Sequence, residues 1–240
     1  MEKLSIVIPC YNEEEGINNL DENLKPVLKE LEGKYELELI FVDDGSKDQT
    51  NKLLWDHFGS LDYVKIVKHQ VNKNLGAALR TGFYHSTGDI VVTLDSDCTY
   101  SPSEINSLIK GLSDSDIVTA SPYHKLGNVD GVPGYRLLLS KSICIIYRIL
   151  TGTKINTFTS IFRAHKKEVI ENIDFKSDNF LATAEMLINS LRKGYKVNEY
   201  PTTLHVRQYG SSSMKLLKVI RSHAKFASSL LFLKVFKRKR

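Results

Sequence analysis

The stretch DIVVTLDSD, residues 89–97, decides how the chain is read. Its apolar run has the length of a buried strand, and Asp95 and Asp97 stand one residue apart where the run stops. In an extended chain residues i and i+2 project to the same side, so both carboxylates face one point in space. Like charges that close repel, and the pair needs a cation, a shared proton or open solvent.

Outward from this stretch, strand and helix patterns alternate. KLSIVIPCY (3–11), YELELIFVDDG (35–45) and YVKIVKH (63–69) read as strands. EEGINNLDENLKPVLKELEG (14–33) reads as a helix that its proline is expected to kink, and DQTNKLLWDHF (48–58) as a helix opened by an Asp cap. NLGAALRTGFYHS (74–86) supplies a third helix. The alternation predicts an α/β fold with a mostly parallel sheet flanked by helices, whose ligands gather at the carboxyl ends of the strands. The acids collect there: Glu13 follows the first strand, Asp43 and Asp44 the second, Asp95 and Asp97 the fourth. GNVDGVPG (127–134) reads as a loop dividing a nucleotide half, 1–126, from an acceptor half, 127–213.

Composition narrows the function. The 240 residues are 42% hydrophobic and 25% charged, ordinary for a globular chain. Nothing approaches the ~20 apolar residues of a spanning helix, and MEKLSIVIPC lacks the features of a signal peptide, so a cytoplasmic protein is expected. Cys10, Cys98 and Cys144 lack metal-ligand spacing and read as free thiols. Residues 214–240 carry nine Lys or Arg and no Asp or Glu; taking nine from the formal +5 leaves −4 on residues 1–213. Leucines, valines and phenylalanines interleave with those charges, which favours an amphipathic tail on an anionic membrane surface over nucleic acid. YRLLLSKSICIIYRIL (135–150), with Arg136, Lys141 and Arg148, is a second candidate lipid contact, although a buried helix is the plainer reading.

Five segments, IVIPCYNEE, FVDDGSKDQT, NKNLGAALRTG, LDSD and HVRQYGSSSMK, in that order across residues 5–215, resemble glycosyltransferase family 2 enzymes of GT-A fold, and most of all their dolichol-phosphate and polyprenyl-phosphate mannosyltransferase branch. The resemblance implies a nucleotide-sugar donor, GDP-mannose or a UDP-hexose, with Mg²⁺ or Mn²⁺ and inversion at the anomeric carbon. It implies metal ligation by Asp95 and Asp97, with Ser96 between them. It assigns donor binding to Pro9, Tyr11, Glu13, Phe41, Asp43, Asp44, Gly76 and Arg136 besides that triplet. Carboxylates at these places can neutralise the charge of a departing diphosphate through a metal, or accept hydrogen bonds from ribose and base. One of Asp43 and Asp44 can instead serve the turn while the other binds.

The same resemblance gives Arg207 and Lys215 to a late loop that closes on phosphate, where Arg offers bidentate contacts and Lys a point charge. Three positions depart from the family pattern: Asn74 stands for a usual glycine, Ser213 for the usual loop lysine, and Pro122 for an arginine. Glu185 occupies the region where hydroxyl-transferring relatives carry a catalytic acid. A sugar hydroxyl needs such a base, whereas a lipid phosphate, with a second pKa of about 6, arrives largely ionised. The expected reaction is therefore hexose transfer to a polyprenyl or dolichyl phosphate at the cytoplasmic membrane face. Transfer to a hydroxyl with Glu185 as base, and a silent nucleotide-sugar-binding subunit, are the alternatives. The tail, or else a membrane-anchoring partner, is expected to carry the protein to membranes separately from the donor motifs upstream.

Overall fold

The structure is a computed structural model in which residues 1–210 and 216–237 are described. Strands β1 (Lys3–Cys10), β2 (Glu36–Asp43), β3 (Val64–Lys68) and β4 (Ile90–Thr93) alternate with helices α1 (Ile17–Glu32), α2 (Thr50–Phe58) and α3 (Leu75–His85). Then come α4 (Ile105–Lys110), β5 (Ile117–Ser121), β6 (Asn128–Asp130), α5 (Gly134–Thr151), β7 (Arg163–Lys166), α6 (Lys167–Asn172), α7 (Leu181–Lys193), β8 (Val197–Pro201), β9 (Thr203–His205) and α8 (Leu216–Lys237). A seven-stranded sheet runs β3-β2-β1-β4-β7-β5-β8, in which β7 alone is antiparallel to its neighbours.

Central strands buried on both faces read as continuous apolar runs, which is why β1 and β4 lack polar alternation. Leu4, Ile6 and Ile8 of β1 pack with Leu20, Leu24 and Leu28 of α1 and with Phe41, while Val7 turns the other way to Val91 and to Ala78 of α3. Adjacent parallel strands end together, Cys10 opposite Asp43, so the loops after β1, β2 and β4 open on one edge of the sheet.

Several local expectations change. Pro26 sits inside α1, which continues through it. The N-cap of α2 is Gln49, which makes no side-chain cap bond, and not Asp48; Asp48 stands one position earlier, where its Oδ1 accepts from the Thr50 N–H at 3.0 Å and from the Thr50 hydroxyl at 2.6 Å in an Asx turn. The segment read as an interdomain loop contains β6, which pairs in parallel with β9 and so ties 128–130 to 203–205. β7, from beyond that segment, lies between β4 and β5, so one sheet takes strands from both sides of it.

The basic tail forms α8, and it docks on α5 and α7. Its inner face places His223 Nδ1 2.8 Å from the Tyr147 hydroxyl, Phe226 edge-on to Tyr147 and Leu230 in a small core with Leu187 and Ile188. Its outer face leaves Leu217, Leu231 and Phe232 exposed, as α5 leaves Leu138, Ile145 and Ile149. Among the described residues no helix is long and apolar enough to cross a membrane.

Candidate active site

A cleft of about 610 Å³ opens at the carboxyl ends of β1, β2 and β4. Pro9, Tyr11 and Glu13 enter it from the β1 loop, Asp44 from β2, Asn72, Asn74 and Leu75 from the start of α3, and Asp95, Ser96 and Asp97 from β4. The other wall brings Asn179 and Phe180 from before α7, Arg207 from after β9, and Lys218 and Val219 from α8.

The two aspartates after β2 divide their work. Asp43 is fully buried, and its Oδ1 accepts from the Ser46 N–H at 2.9 Å, closing the turn; Lys68 Nζ stands 3.7 Å from its Oδ2. Gly45, at φ +73°, completes that turn, and a Cβ there would lie 2.5 Å from the Val71 carbonyl carbon. Asp44 faces the cleft. Its Oδ1 lies 2.6 Å from His69 Nδ1 and accepts from the Lys73 N–H at 2.9 Å, while His69 Nε2 lies 2.9 Å from the Thr81 hydroxyl. With its proton on Nδ1, His69 donates to Asp44 and accepts from Thr81, fixing the carboxylate's rotamer.

β4 ends at Thr93, and residues 96 and 97 lie in a turn, so Asp95 and Asp97 are not the extended pair that their spacing predicts. The turn still keeps them close. Loss of water, then the charges of Asp97 and Glu13, push the Asp95 carboxyl well above the usual carboxylate range. Burial likewise lifts Glu13 to about 6 against the opposing pull of Arg207. The Arg207 guanidinium meets this excess of acid: Nη2 pairs with Glu13, and Nε stands 3.8 Å from Asp97 Oδ2. Burial works against its charge, but those acids outweigh it and raise its pKa. Asp97 Oδ1 accepts from the Thr99 N–H at 3.1 Å, which orients the carboxylate.

The non-glycine residues at positive φ, Asn12, Asn74 and Cys98, all fall in or beside the cleft-forming loops. Asn74, at φ 71° and ψ 170°, occupies a region that essentially only glycine visits without strain, not the left-handed helical well that asparagine tolerates.

Five of the residues expected at the site stand away from its lining, Asp43 in its buried turn being one. Phe41 is fully buried, its ring 4.7 Å from that of Phe58, because its place in β2 turns it to the core. Gly76 serves packing: its N–H donates to the Asp178 carbonyl, and a Cβ would lie 2.0 Å from the Ser177 carbonyl. Arg136, in the first turn of α5, donates from Nε to the Tyr135 hydroxyl at 3.2 Å, outside the cleft lining. Glu185 sits on the inner face of α7, and its two oxygens accept from the backbone N–H groups of Lys176 and Ser177 at 3.2 and 2.9 Å. It holds the chain that packs on Gly76. Lys215 lies outside the described residues.

Sequence reading missed His69, Asn179, Phe180 and Lys218. Histidine 24 residues after the turn, or lysine on a basic helix, carries no local signal of a cleft; only the small, polar run before α7 could have hinted at one. Among the described residues no group of three or more His, Cys, Asp or Glu side chains is disposed to hold a metal ion unaided.

With this geometry in place, residues 5–174 match the model of the family described as Glycosyl transferase family 2. The chain belongs to glycosyl transferase family 2. It is 35% identical over 219 residues to a dolichol-phosphate mannosyltransferase of Pyrococcus furiosus, an alignment covering 89% of this chain and 59% of that protein. It is 30% identical over 218 residues to a polyprenol monophosphomannose synthase of Mycolicibacterium smegmatis, covering 87% and 80%. The chain thus spans less than two thirds of the first of these relatives. Glucosyl-3-phosphoglycerate synthase from Mycobacterium tuberculosis, solved with Mn²⁺, UDP-glucose and phosphoglyceric acid, superposes with a TM-score of 0.71 at 20% identity, over 95% of this chain and 79% of that one. The family 2 chain therefore has the GT-A fold.

Proposed function

We propose that this family 2 chain transfers a hexose, mannose or glucose, from a nucleotide-sugar to a polyprenyl or dolichyl phosphate, with inversion at the anomeric carbon. The observation that carries the choice of acceptor is the state of Glu185. Its carboxylate is taken up by two backbone N–H groups outside the cleft lining, so it stands poorly as a general base for a hydroxyl. A phosphate acceptor needs none, because it is already an anion near neutral pH. The names of the Pyrococcus and Mycolicibacterium relatives support the same acceptor and favour mannose.

In this reading Asp44, fixed by His69, accepts hydrogen bonds from the nucleoside, and Tyr11 offers a stacking face. Asp95 and Asp97 suit a hard divalent ion: they are oxygen donors, burial and then the neighbouring acids raise the pKa of Asp95, and a guanidinium already stands at Asp97. Mg²⁺ or Mn²⁺ there would neutralise charge on the leaving diphosphate. Arg207 would turn from Glu13 to phosphate oxygens, and Lys215 would add to it. Residues 1–126 would serve the donor and 127–213 the acceptor, while residues 214–240 and the exposed side of α5 rest on the cytoplasmic face of a membrane.

The test is a donor screen, GDP-mannose against UDP-glucose, with Mg²⁺ or Mn²⁺, reading hydrolysis and transfer to a polyprenyl phosphate. Metal-dependent transfer to the lipid phosphate is expected. Transfer only to a sugar hydroxyl, abolished in Glu185→Gln, would replace this acceptor with the alternative one; binding of donor without turnover on any acceptor would favour a silent subunit.

A further inference from the structure

We propose that Lys218, in the first turn of α8, is a phosphate-binding cation of the transfer cleft, so that α8 completes the site as well as lying beside it. The inference rests on the reading of the cleft as a sugar-transfer site. Lys218 lines the cleft from the wall opposite the acidic loops. Among the described residues its ammonium has no carboxylate partner, whereas Arg207 is engaged by Glu13 and Asp97. Four cleft-lining acids, Glu13, Asp44, Asp95 and Asp97, thus face a lysine that none of them neutralises. A phosphate, carrying charge and several acceptor oxygens, suits a compact ammonium with three donors.

The position of Lys218 is set by the packing of α8. Asn179, itself in the cleft, donates from Nδ2 to the Ser222 hydroxyl at 3.1 Å, one turn along α8. Tyr147 meets His223 at 2.8 Å in the next position. These contacts fix the first turns of α8 over the cleft.

Two phosphates pass through such a site, the donor's diphosphate and that of a lipid acceptor. Lys218 stands on the wall opposite the loops of Asp44, Asp95 and Asp97, which are read as the donor's, so we assign it to the acceptor.

The experiment compares the full chain with Lys218→Ala, Lys218→Gln and Lys218→Arg. Two probes are titrated separately: a short-chain, water-soluble prenyl phosphate, and a nucleoside diphosphate with Mn²⁺. Lys218→Ala and Lys218→Gln should weaken the prenyl phosphate about tenfold and leave the nucleotide within twofold, Lys218→Arg should restore most of the loss, and the melting temperature should hold because the side chain is exposed. Equal weakening of both probes, or of the nucleotide alone, would keep the cation but move it to the donor diphosphate. Unchanged affinity for both would overturn the proposal. Should the wild-type chain bind no prenyl phosphate, the lipid-acceptor reading itself fails, and the nucleotide titration still decides whether Lys218 binds phosphate.

Discussion

On one wall of the cleft, Glu13, Asp44, Asp95 and Asp97 hang from loops that leave three adjacent parallel strands. On the other, Arg207 and Lys218 arrive on the loop after β9 and on helix α8, outside the strands of the main sheet. Asp44 and Asp97 are held by bonds to the next loop or within their own turn, Asp44 to His69 and Lys73 and Asp97 to Thr99. The elements that bear the cations are held across long stretches of chain, the loop after β9 by Arg207 to Glu13 over 194 residues and α8 by His223 to Tyr147 over 76. The difference teaches that the wall proposed for metal and nucleotide is preorganised by the sheet, while the wall proposed for phosphate depends on how the later helices dock. Preorganised charge lowers a barrier without reorganisation at the moment of reaction.

The largest effect should come from the sheet-borne wall. Asp97→Asn removes one of two proposed metal ligands and should cut transfer by about 10²–10³-fold, with an unchanged circular dichroism spectrum and melting temperature. Activity that persisted in this variant in excess chelator would break the contrast at its root.

On the helical wall Glu185→Gln should separate structure from chemistry. Gln retains one acceptor and turns an amide N–H₂ toward a backbone N–H, which should cost about 2 kcal/mol of stability in denaturant titration. Transfer to polyprenyl phosphate at a permissive temperature should stay within about threefold of wild type. A loss of 10²-fold without loss of stability would make Glu185 a base after all.

Acid should loosen the helical wall before the sheet. Burial lowers His223 to about 4 from an ordinary 6.5, so the neutral ring is the folded form. Its contribution is present above about pH 6.5 and is lost as pH falls toward 4, when the unfolded or undocked helix takes the proton. Amide exchange in α8 should therefore speed up over that window while β1 stays protected, and His223→Phe should flatten the dependence. Simultaneous loss of both regions would show that α8 is not a separable unit.

The smallest effect sharpens the sheet side. Asn74→Gly should relieve the backbone at φ 71°, ψ 170° and stabilise the fold by about 1 kcal/mol, offset in part by the freer unfolded glycine. A destabilised variant would mean that the asparagine side chain outweighs the strain.

Much of the first wall could be read from local pattern. Apolar runs of strand length, each stopped by acids, needed only the period of a strand and the rule that ligands gather at strand ends. The fold class and the placing of Glu13, Asp44, Asp95 and Asp97 at the strand ends followed from that, because neighbours in sequence are neighbours in space there; the family, and with it Tyr11 and Ser96, came from the resemblance of five motifs. The same logic failed at single side chains whose direction depends on the face of their element. Phe41, two residues before Asp43 in β2, points into the core, and Gly76 packs on Ser177 and Asp178, which are a hundred residues away.

By itself, then, the sequence determined the order of strands and helices through β4, the acidic edge and the basic, amphipathic nature of α8, since each depends on residues within a few positions of one another. Tertiary structure alone decided that β7 inserts antiparallel between β4 and β5, that His69 steadies Asp44, that Glu185 serves the backbone of residues 176 and 177, and that Lys218 faces the acids. Those outcomes turn on which surfaces bury together and which buried polar groups find partners, a choice made among contacts tens to nearly two hundred residues apart that no local period encodes.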